Sequence, residues 1–152
     1  MLTNQDTAPP AYRLSAATVV PWAAAVGVAV ILLQTLYFKF TYAPETRYIF
    51  ADRGGRPAAT LVGVLELVTA VLLLTGGRRQ ALGALIALGL IGGAIMTHVT
   101  SLGIAVKNPD TGESDGGFLF ALAIAVAIGS LAVLIYRWRQ LPYVDKVLAR
   151  LK

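Results

Sequence analysis

The chain has 152 residues, of which 57% are hydrophobic and 14% are charged, and its formal net charge is +5. Soluble domains carry roughly 25% charged residues, so this composition argues against a soluble domain and indicates a membrane protein. Cysteine is absent and His98 is the single histidine, which excludes disulfides and thiolate ligands and argues against a metal site built from protein side chains. The basic residues lie at segment ends and form no stripe, so we expect no nucleic-acid partner.

Four apolar segments are each close to the roughly 20 residues that cross the hydrocarbon core of a bilayer. They cover residues 17–38, 57–75, 81–102 and 118–136. A helix satisfies its own backbone hydrogen bonds in lipid, so we predict an all-α fold, a four-transmembrane-helix bundle over residues 17–137. The first segment has small residues like those of a signal peptide, but its apolar run is too long for one. We therefore expect an uncleaved first helix.

Both ends of the chain lie outside this predicted bundle. Residues 1–16 are expected to form a flexible cytoplasmic tail, and residues 138–152 a basic segment with a short amphipathic C-terminal helix. In that segment, apolar residues recur at helical spacing at Val144, Val147, Leu148 and Leu151. A helix of this kind suits an anionic membrane surface or a partner protein, and the sequence does not choose between them.

The distribution of lysine and arginine predicts the orientation of the chain. Eight of these residues lie in the two tails and the turn at 76–80, and five lie in the other two loops. Basic residues concentrate on the cytoplasmic side of membrane proteins, so we predict that both termini are cytoplasmic, in a bacterial plasma (inner) membrane. The loop at 37–50 is rich in aromatic residues and should rest on the membrane or fold over the bundle. The loop "KNPDTGESDGG" lacks EF-hand spacing and is expected to be a solvated turn.

Small residues predict where the helices pack closely, because helix contact in lipid depends on close backbone approach. The third segment has two glycines at GxxxG spacing, and the fourth has small residues four apart. The predicted packing residues are Gly63, Gly89, Gly93, Ala125 and Gly129. Gly63 shares a helical stripe with Glu66, so this glutamate should point at neighbouring helices and away from lipid.

Four polar residues in or beside the apolar segments are candidates for ligand binding or proton relay: Glu66, His98, Gln34 and Lys39. At about 1.5 Å per residue, Glu66 lies roughly 12 Å below the outer end of its helix, and Gln34 and His98 roughly 6–8 Å below theirs. Lys39 lies at the outer end of the first segment, at the entrance to the region that these residues share. Ionisable residues inside membrane segments are commonly functional, so we predict that these side chains share a site in the outer half of the bundle.

Each of the four also has a structural interpretation. Glu66 can hydrogen-bond across helices for stability alone, and Gln34 can join helices in the same way. His98 can be an interfacial hydrogen-bonding residue. Lys39 is more often an anchor whose ammonium reaches the interface than a reactive amine. The sequence therefore names candidates for a site but no catalytic residue.

With these residues located, the sequence resembles the DoxX-like family of small four-helix membrane proteins over roughly residues 20–137. The resembling pieces are "LLQTLYFKF", "VLELVTAVLLLTGGRRQALGALIALGLI" and "AIMTHVTSLG", and the loop "FTYAPETRYIFADRG" is similar to one bacterial branch. The resemblance implies that Lys39, Glu66 and His98 occupy characteristic positions. It also implies a range of roles: a subunit of a thiosulfate:quinone oxidoreductase, a component of oxidative-stress complexes or, in distant eukaryotic relatives, membrane-protein assembly or export.

Two functional hypotheses follow. In the first, the chain is a membrane subunit or anchor of an oxidoreductase system with a quinone-sized pocket. It has no intrinsic cofactor, so its electrons come from a soluble or membrane oxidoreductase partner. In the second, it is a non-enzymatic, chaperone-like assembly protein that captures client helices through an exposed Glu66 and small-residue faces. A carrier fits less well, because inverted repeats and broken helices are absent from the sequence pattern. A homo-oligomer in the lipid bilayer is compatible with either hypothesis.

Overall fold

The structure is a computed structural model that describes residues 15–141 and residue 144. This part of the chain is helical and contains no strand. Its helices are α1 (Ala16–Thr41), α2 (Pro44–Phe50), α3 (Gly55–Leu74), α4 (Gly77–Thr97) and α5 (Phe118–Arg137). A π-helical turn, His98–Leu102, extends α4, and a 3-10 turn, Trp138–Gln140, extends α5. The all-α prediction is confirmed; the predicted N-terminal tail lies almost entirely outside the described residues, and so does most of the predicted C-terminal helix.

The helices α1, α3, α4 and α5 are long and apolar enough to cross a membrane. Large aliphatic side chains on their outer faces, such as Val30, Leu61, Ile128 and Ile135, are more than half exposed. Exposure on this scale would be costly in water but is neutral against lipid tails. The chain is therefore an integral membrane protein whose helices contact the bilayer.

The four long helices form a ring in which each packs against two neighbours. Helices α1 and α4 each contact both α3 and α5, so α1 lies diagonally opposite α4. We call the end of the bundle that contains the α3–α4 turn, residues 74–77, the hairpin end, and the opposite end the α2 end. The tight turn uses Gly76 and Gly77, both with positive φ, a conformation that glycine adopts without steric cost.

The hairpin end of the bundle has a solid core. Ala25, Leu73, Ala84 and Val133 are completely buried together there. Gln80 is also fully buried; its amide nitrogen donates to the carbonyl of Leu73 at 3.2 Å, and its amide oxygen accepts from Nε of Arg137 at 3.2 Å. Apolar packing and the hydrogen bonds of Gln80 thus close this end.

Close helix contacts occur at some of the predicted small residues and not at others. A Cβ added at Gly129 would lie 2.6 Å from Val28, and one at Gly63 would lie 3.1 Å from the ring of Phe40. At Gly89 and Gly93 an added Cβ would meet nothing within 4 Å, and Ala125 is exposed. The packing prediction is therefore wrong for these three residues within one chain. Gly83 makes the close α3–α4 contact instead, since an added Cβ would lie 2.9 Å from the backbone nitrogen of Leu73.

The two loops at the α2 end are folded over the bundle. The first contains α2, a helix that the sequence did not predict. Of the two arrangements expected for this loop, on the membrane or over the bundle, the structure has the second. The other loop, residues 103–117, contains the expected solvated turn, since most of residues 107–117 are exposed. It is also docked on α2, which the sequence did not predict. Asn108 donates to Glu45 at 2.6 Å, and Arg47 pairs with Asp110 at 2.9 Å. Val106 is 2% exposed and anchors this loop.

Candidate functional site: a polar cavity at the α2 end

A cavity of about 460 Å³ occupies the α2 half of the bundle. Ligand pockets in proteins commonly measure about 300–1,000 Å³ and have mostly apolar walls. The walls here are largely aliphatic and come from all five helices, including Ile31, Ile49, Val62, Leu90 and Leu122. In size and lining the cavity is therefore suited to a small apolar or amphipathic ligand.

Small residues on α4 create this space. Gly89 and Gly93 both line the cavity, and a Cβ added at either would meet nothing within 4 Å, so the absence of side chains leaves open space there. The π-helical turn that follows, His98–Leu102, also contributes to the lining. Such turns are rare and frequently occur at functional sites. The GxxxG pair thus contributes to the cavity wall and not to a helix contact.

An ion pair lies in the cavity wall between α1 and α3. Nζ of Lys39 is 2.9 Å from Oε2 of Glu66, and the two side chains are 15% and 11% exposed. The Thr35 hydroxyl lies 3.0 Å from the same carboxylate oxygen and 2.8 Å from the carbonyl of Leu32, so its single proton serves one acceptor at a time. Glu66 therefore faces the neighbouring helices, as its stripe predicted, and has a cationic partner.

Lys39 does not adopt the conformation of an interfacial anchor, which its place near the helix end favoured. An anchor would extend its ammonium to the interface, whereas this side chain turns into the bundle toward Glu66. The carboxylate supplies the physical reason, because an opposite charge in a region of low dielectric attracts far more strongly than it would in water.

His98 is 6% exposed and its ring is held in one orientation. Nδ1 lies 2.8 Å from the carbonyl oxygen of Gly103, and the edge of the Phe120 ring packs against it with the centroids 5.5 Å apart. A carbonyl only accepts, so Nδ1 carries the proton and donates it. In the neutral imidazole this leaves Nε2 as an acceptor, and it has no hydrogen-bond partner among the described residues.

Gln34 is not part of the site. Its side chain is exposed on the outside of the bundle and it does not line the cavity, so the sequence-based expectation for it is wrong. The reason is helical geometry: Thr35 is four residues before Lys39 and shares its face, whereas Gln34 is turned away by about 100°. The i, i+4 spacing to Lys39 was the signal that could have identified Thr35.

Arg53, which the sequence pattern did not indicate, lines the cavity at the α2 end. One guanidinium nitrogen donates to the carbonyl of Ile49 at 2.8 Å, and another donates to the hydroxyl of Ser101. The residue lies in a turn between two helices, where nothing in the local pattern connects it to a site 48 residues away. It ties α2 to the π-helical turn across the cavity.

Asp115 organises the loop next to the site. Its carboxylate accepts from the backbone N–H groups of Val106 at 2.7 Å and of Gly117 and Leu119 at 3.0 Å. Burial is the largest single influence and opposes the charge, but the three backbone donors together outweigh it, with a smaller contribution from His98. The pKa of Asp115 therefore lies below its ordinary value of 3.8.

In chemical terms, the cavity offers a cationic donor, a carboxylate and an imidazole acceptor within apolar walls. The described residues include no group of three histidine or acidic side chains placed to hold a metal ion. These groups can hydrogen-bond the polar end of a ligand and exchange protons with it.

No protein-family model, curated protein or solved structure matches the chain.

Proposed function

We propose that this chain is a DoxX-like integral membrane protein whose cavity binds a quinone-sized ligand for an oxidoreductase system. The observation that carries the proposal is the cavity of about 460 Å³, apolar in its walls and polar at Lys39, Glu66 and His98. A quinone has the matching chemistry, because its ring is flat and apolar and its carbonyl oxygens accept hydrogen bonds. Lys39 has donor capacity beyond its contact with Glu66.

The chain acts in this proposal as a binding subunit or anchor, and electrons reach the ligand from a soluble or membrane oxidoreductase partner. Without cysteine, and with one histidine, the chain offers few ligands for a metal or cluster of its own. Glu66 and His98 exchange protons with the ligand, because both are titratable and line the cavity.

We place the hairpin end in the cytoplasm of a bacterial inner membrane and the cavity in the outer half of the bilayer. Arg78 and Arg79 begin α4, and the 3-10 turn that carries Arg139 packs against this helix. Apart from Glu66 in the middle of α3, the acidic residues of the described part lie in α2 and the loops at the opposite end. Basic residues beside the membrane favour the cytoplasmic leaflet with its anionic lipids.

The test is a titration of the purified full-length chain in detergent with a short-chain ubiquinone. Gly93→Leu adds a side chain in the cavity and should weaken binding by more than about tenfold. A tenfold loss is about 1.4 kcal/mol, which corresponds to the lost burial of about two CH₂ groups of the ligand. Gly92→Leu is the matched control, because Gly92 is exposed and does not line the cavity. Equal binding by both variants and the parent chain would reject the pocket.

The assembly hypothesis has weaker support. It required an exposed Glu66 that captures polar client helices, whereas this residue is 8% exposed and paired with Lys39. A client would have to separate this ion pair to reach the carboxylate. The cavity favours the first hypothesis because it supplies a bounded volume with polar groups inside it.

A further inference from the structure

Two acceptor atoms of residues that line the cavity have hydrogen-bonding capacity that the described residues do not use. Both contacts of the Glu66 carboxylate, with Lys39 and with Thr35, involve Oε2. Oε1 makes no hydrogen bond to any residue of the described part. The same holds for Nε2 of His98, whose other ring nitrogen is engaged by Gly103. Neither atom is fully buried, so both are accessible to a ligand or to water.

A ligand that enters the cavity displaces water from these acceptors and must replace its hydrogen bonds. A quinone carbonyl only accepts, so it would leave Oε1 of Glu66 and Nε2 of His98 opposite oxygen lone pairs. An unpaired buried acceptor is costly. A quinol hydroxyl both donates and accepts. It can donate to an acceptor in the wall while its oxygen accepts from the ammonium of Lys39.

We propose that the cavity selects the quinol form of its ligand over the quinone form. Oε1 of Glu66 and Nε2 of His98 cause this preference, because they accept hydrogen bonds from the hydroxyl groups that only the quinol has. The inference rests on the proposed function and specifies which redox form of the ligand binds more tightly. It requires no electron transfer by this chain. The two forms differ by two electrons and two protons, and the hydroxyl protons of the reduced form are the ones that the two acceptors bind.

A preference of this kind has a redox consequence. A site that binds the reduced form more tightly raises the midpoint potential of the bound couple above that of the free couple. A tenfold preference corresponds to about 30 mV for a two-electron couple. The partner oxidoreductase would therefore find the ligand easier to reduce when it is bound here.

The experiment compares two dissociation constants for the purified full-length chain in detergent under anaerobic conditions. The probes are a short-chain ubiquinone and the same molecule reduced to ubiquinol. We expect the quinol to bind at least about tenfold more tightly, as one rescued acceptor would produce. In Glu66→Gln the side-chain amide can donate to a carbonyl, so the ratio of the two constants should fall toward one.

The ratio within one variant is the decisive quantity, because partial misfolding would weaken both forms together. Gln34→Ala is the control, since Gln34 lies on the outer face of the same helix as Lys39, and it should keep the parent ratio. Equal affinity for the two forms, or tighter binding of the quinone, would overturn this inference while the proposed pocket stands. An unchanged ratio in Glu66→Gln would overturn the role of its carboxylate. If neither form binds, the proposed function itself fails.

Discussion

Lys39 and Glu66 join the C-terminal part of α1 to the middle of α3 through a contact of 2.9 Å between Nζ and Oε2. Both side chains line the cavity, so this contact is at once a link between helices and part of the candidate site. It gives the single acidic residue of a largely apolar helix a partner of opposite charge. The stability of the bundle and its ligand chemistry are therefore coupled at these two residues.

Removal of one partner of this pair should destabilise the protein more than removal of both. Glu66→Leu leaves the Lys39 ammonium in a poorly solvated site, and the loss of one member of a buried pair typically costs about 3–5 kcal/mol. The double variant Lys39→Met, Glu66→Leu replaces both charges with apolar groups and should recover most of this loss. The free energy of unfolding, measured by titration with a denaturing detergent and circular dichroism, checks both values.

The surface pair Arg47–Asp110 is the matched control for this measurement. It has the same separation of 2.9 Å, but its side chains are 52% and 54% exposed. Exposed ion pairs contribute about 0–1 kcal/mol, so Asp110→Asn should have little effect. A loss in Glu66→Leu no larger than that in Asp110→Asn would show that the inner pair does not stabilise the bundle.

Two glycine-to-alanine changes in α4 should have opposite effects. An added Cβ at Gly83 would lie 2.9 Å from the backbone nitrogen of Leu73, and backbone atoms cannot move aside, so Gly83→Ala should cost about 1–3 kcal/mol. Gly89→Ala meets nothing within 4 Å and should stabilise the helix by about 0.5–1 kcal/mol. Thermal unfolding of the two variants measures the difference. The reverse order would contradict the positions of these glycines.

Acid should loosen the loop at 103–117 through Asp115. The pKa of this carboxyl group is lower in the folded protein than its ordinary value of 3.8, so its ionised form stabilises the fold. That contribution is complete well above pH 3.8 and is lost as the pH falls through the lower, folded value. Hydrogen exchange at the amide of Leu119, corrected for the intrinsic effect of pH, should show the loss of protection.

Asp115→Asn removes this titration, so the protection of Leu119 should be lower at neutral pH and should vary less with acid. Glu113→Gln is the control, because Glu113 is exposed in the same loop and its side chain makes no hydrogen bond to the described residues. A parent-like acid response in Asp115→Asn would assign the effect to another group.

The proposed orientation predicts which loops a membrane-impermeant maleimide can reach in intact cells. The chain has no cysteine, so single cysteines report their own position. Thr111→Cys, in the loop at the α2 end, should be labelled from outside, and Thr75→Cys, in the hairpin turn, should be labelled only after the cells are opened. Both threonines are exposed. The opposite pattern would invert the topology and place the cavity in the cytoplasmic half.

Much of the fold is determined locally and could be predicted from the sequence. The fourth apolar segment was expected at 118–136, and α5 spans Phe118–Arg137, because hydropathy and helix length follow from the bilayer thickness. The inward orientation of Glu66 also follows from helical periodicity. The docking of the loop at 103–117 on α2 was not predicted, because Asn108 and Asp110 pair with residues distant in the sequence, and such partners cannot be identified from composition.

The sequence by itself determined that the chain crosses a membrane with four helices and that Glu66 faces inward, because both depend on the residues of one helix and the solvent around it. Tertiary structure alone decided that Lys39 turns toward Glu66, that Thr35 replaces Gln34, and that Gly89 and Gly93 border a cavity. A glycine permits close packing or empty space equally well. Which of the two occurs depends on the distance to the opposite helix, and that distance is a property of the whole bundle.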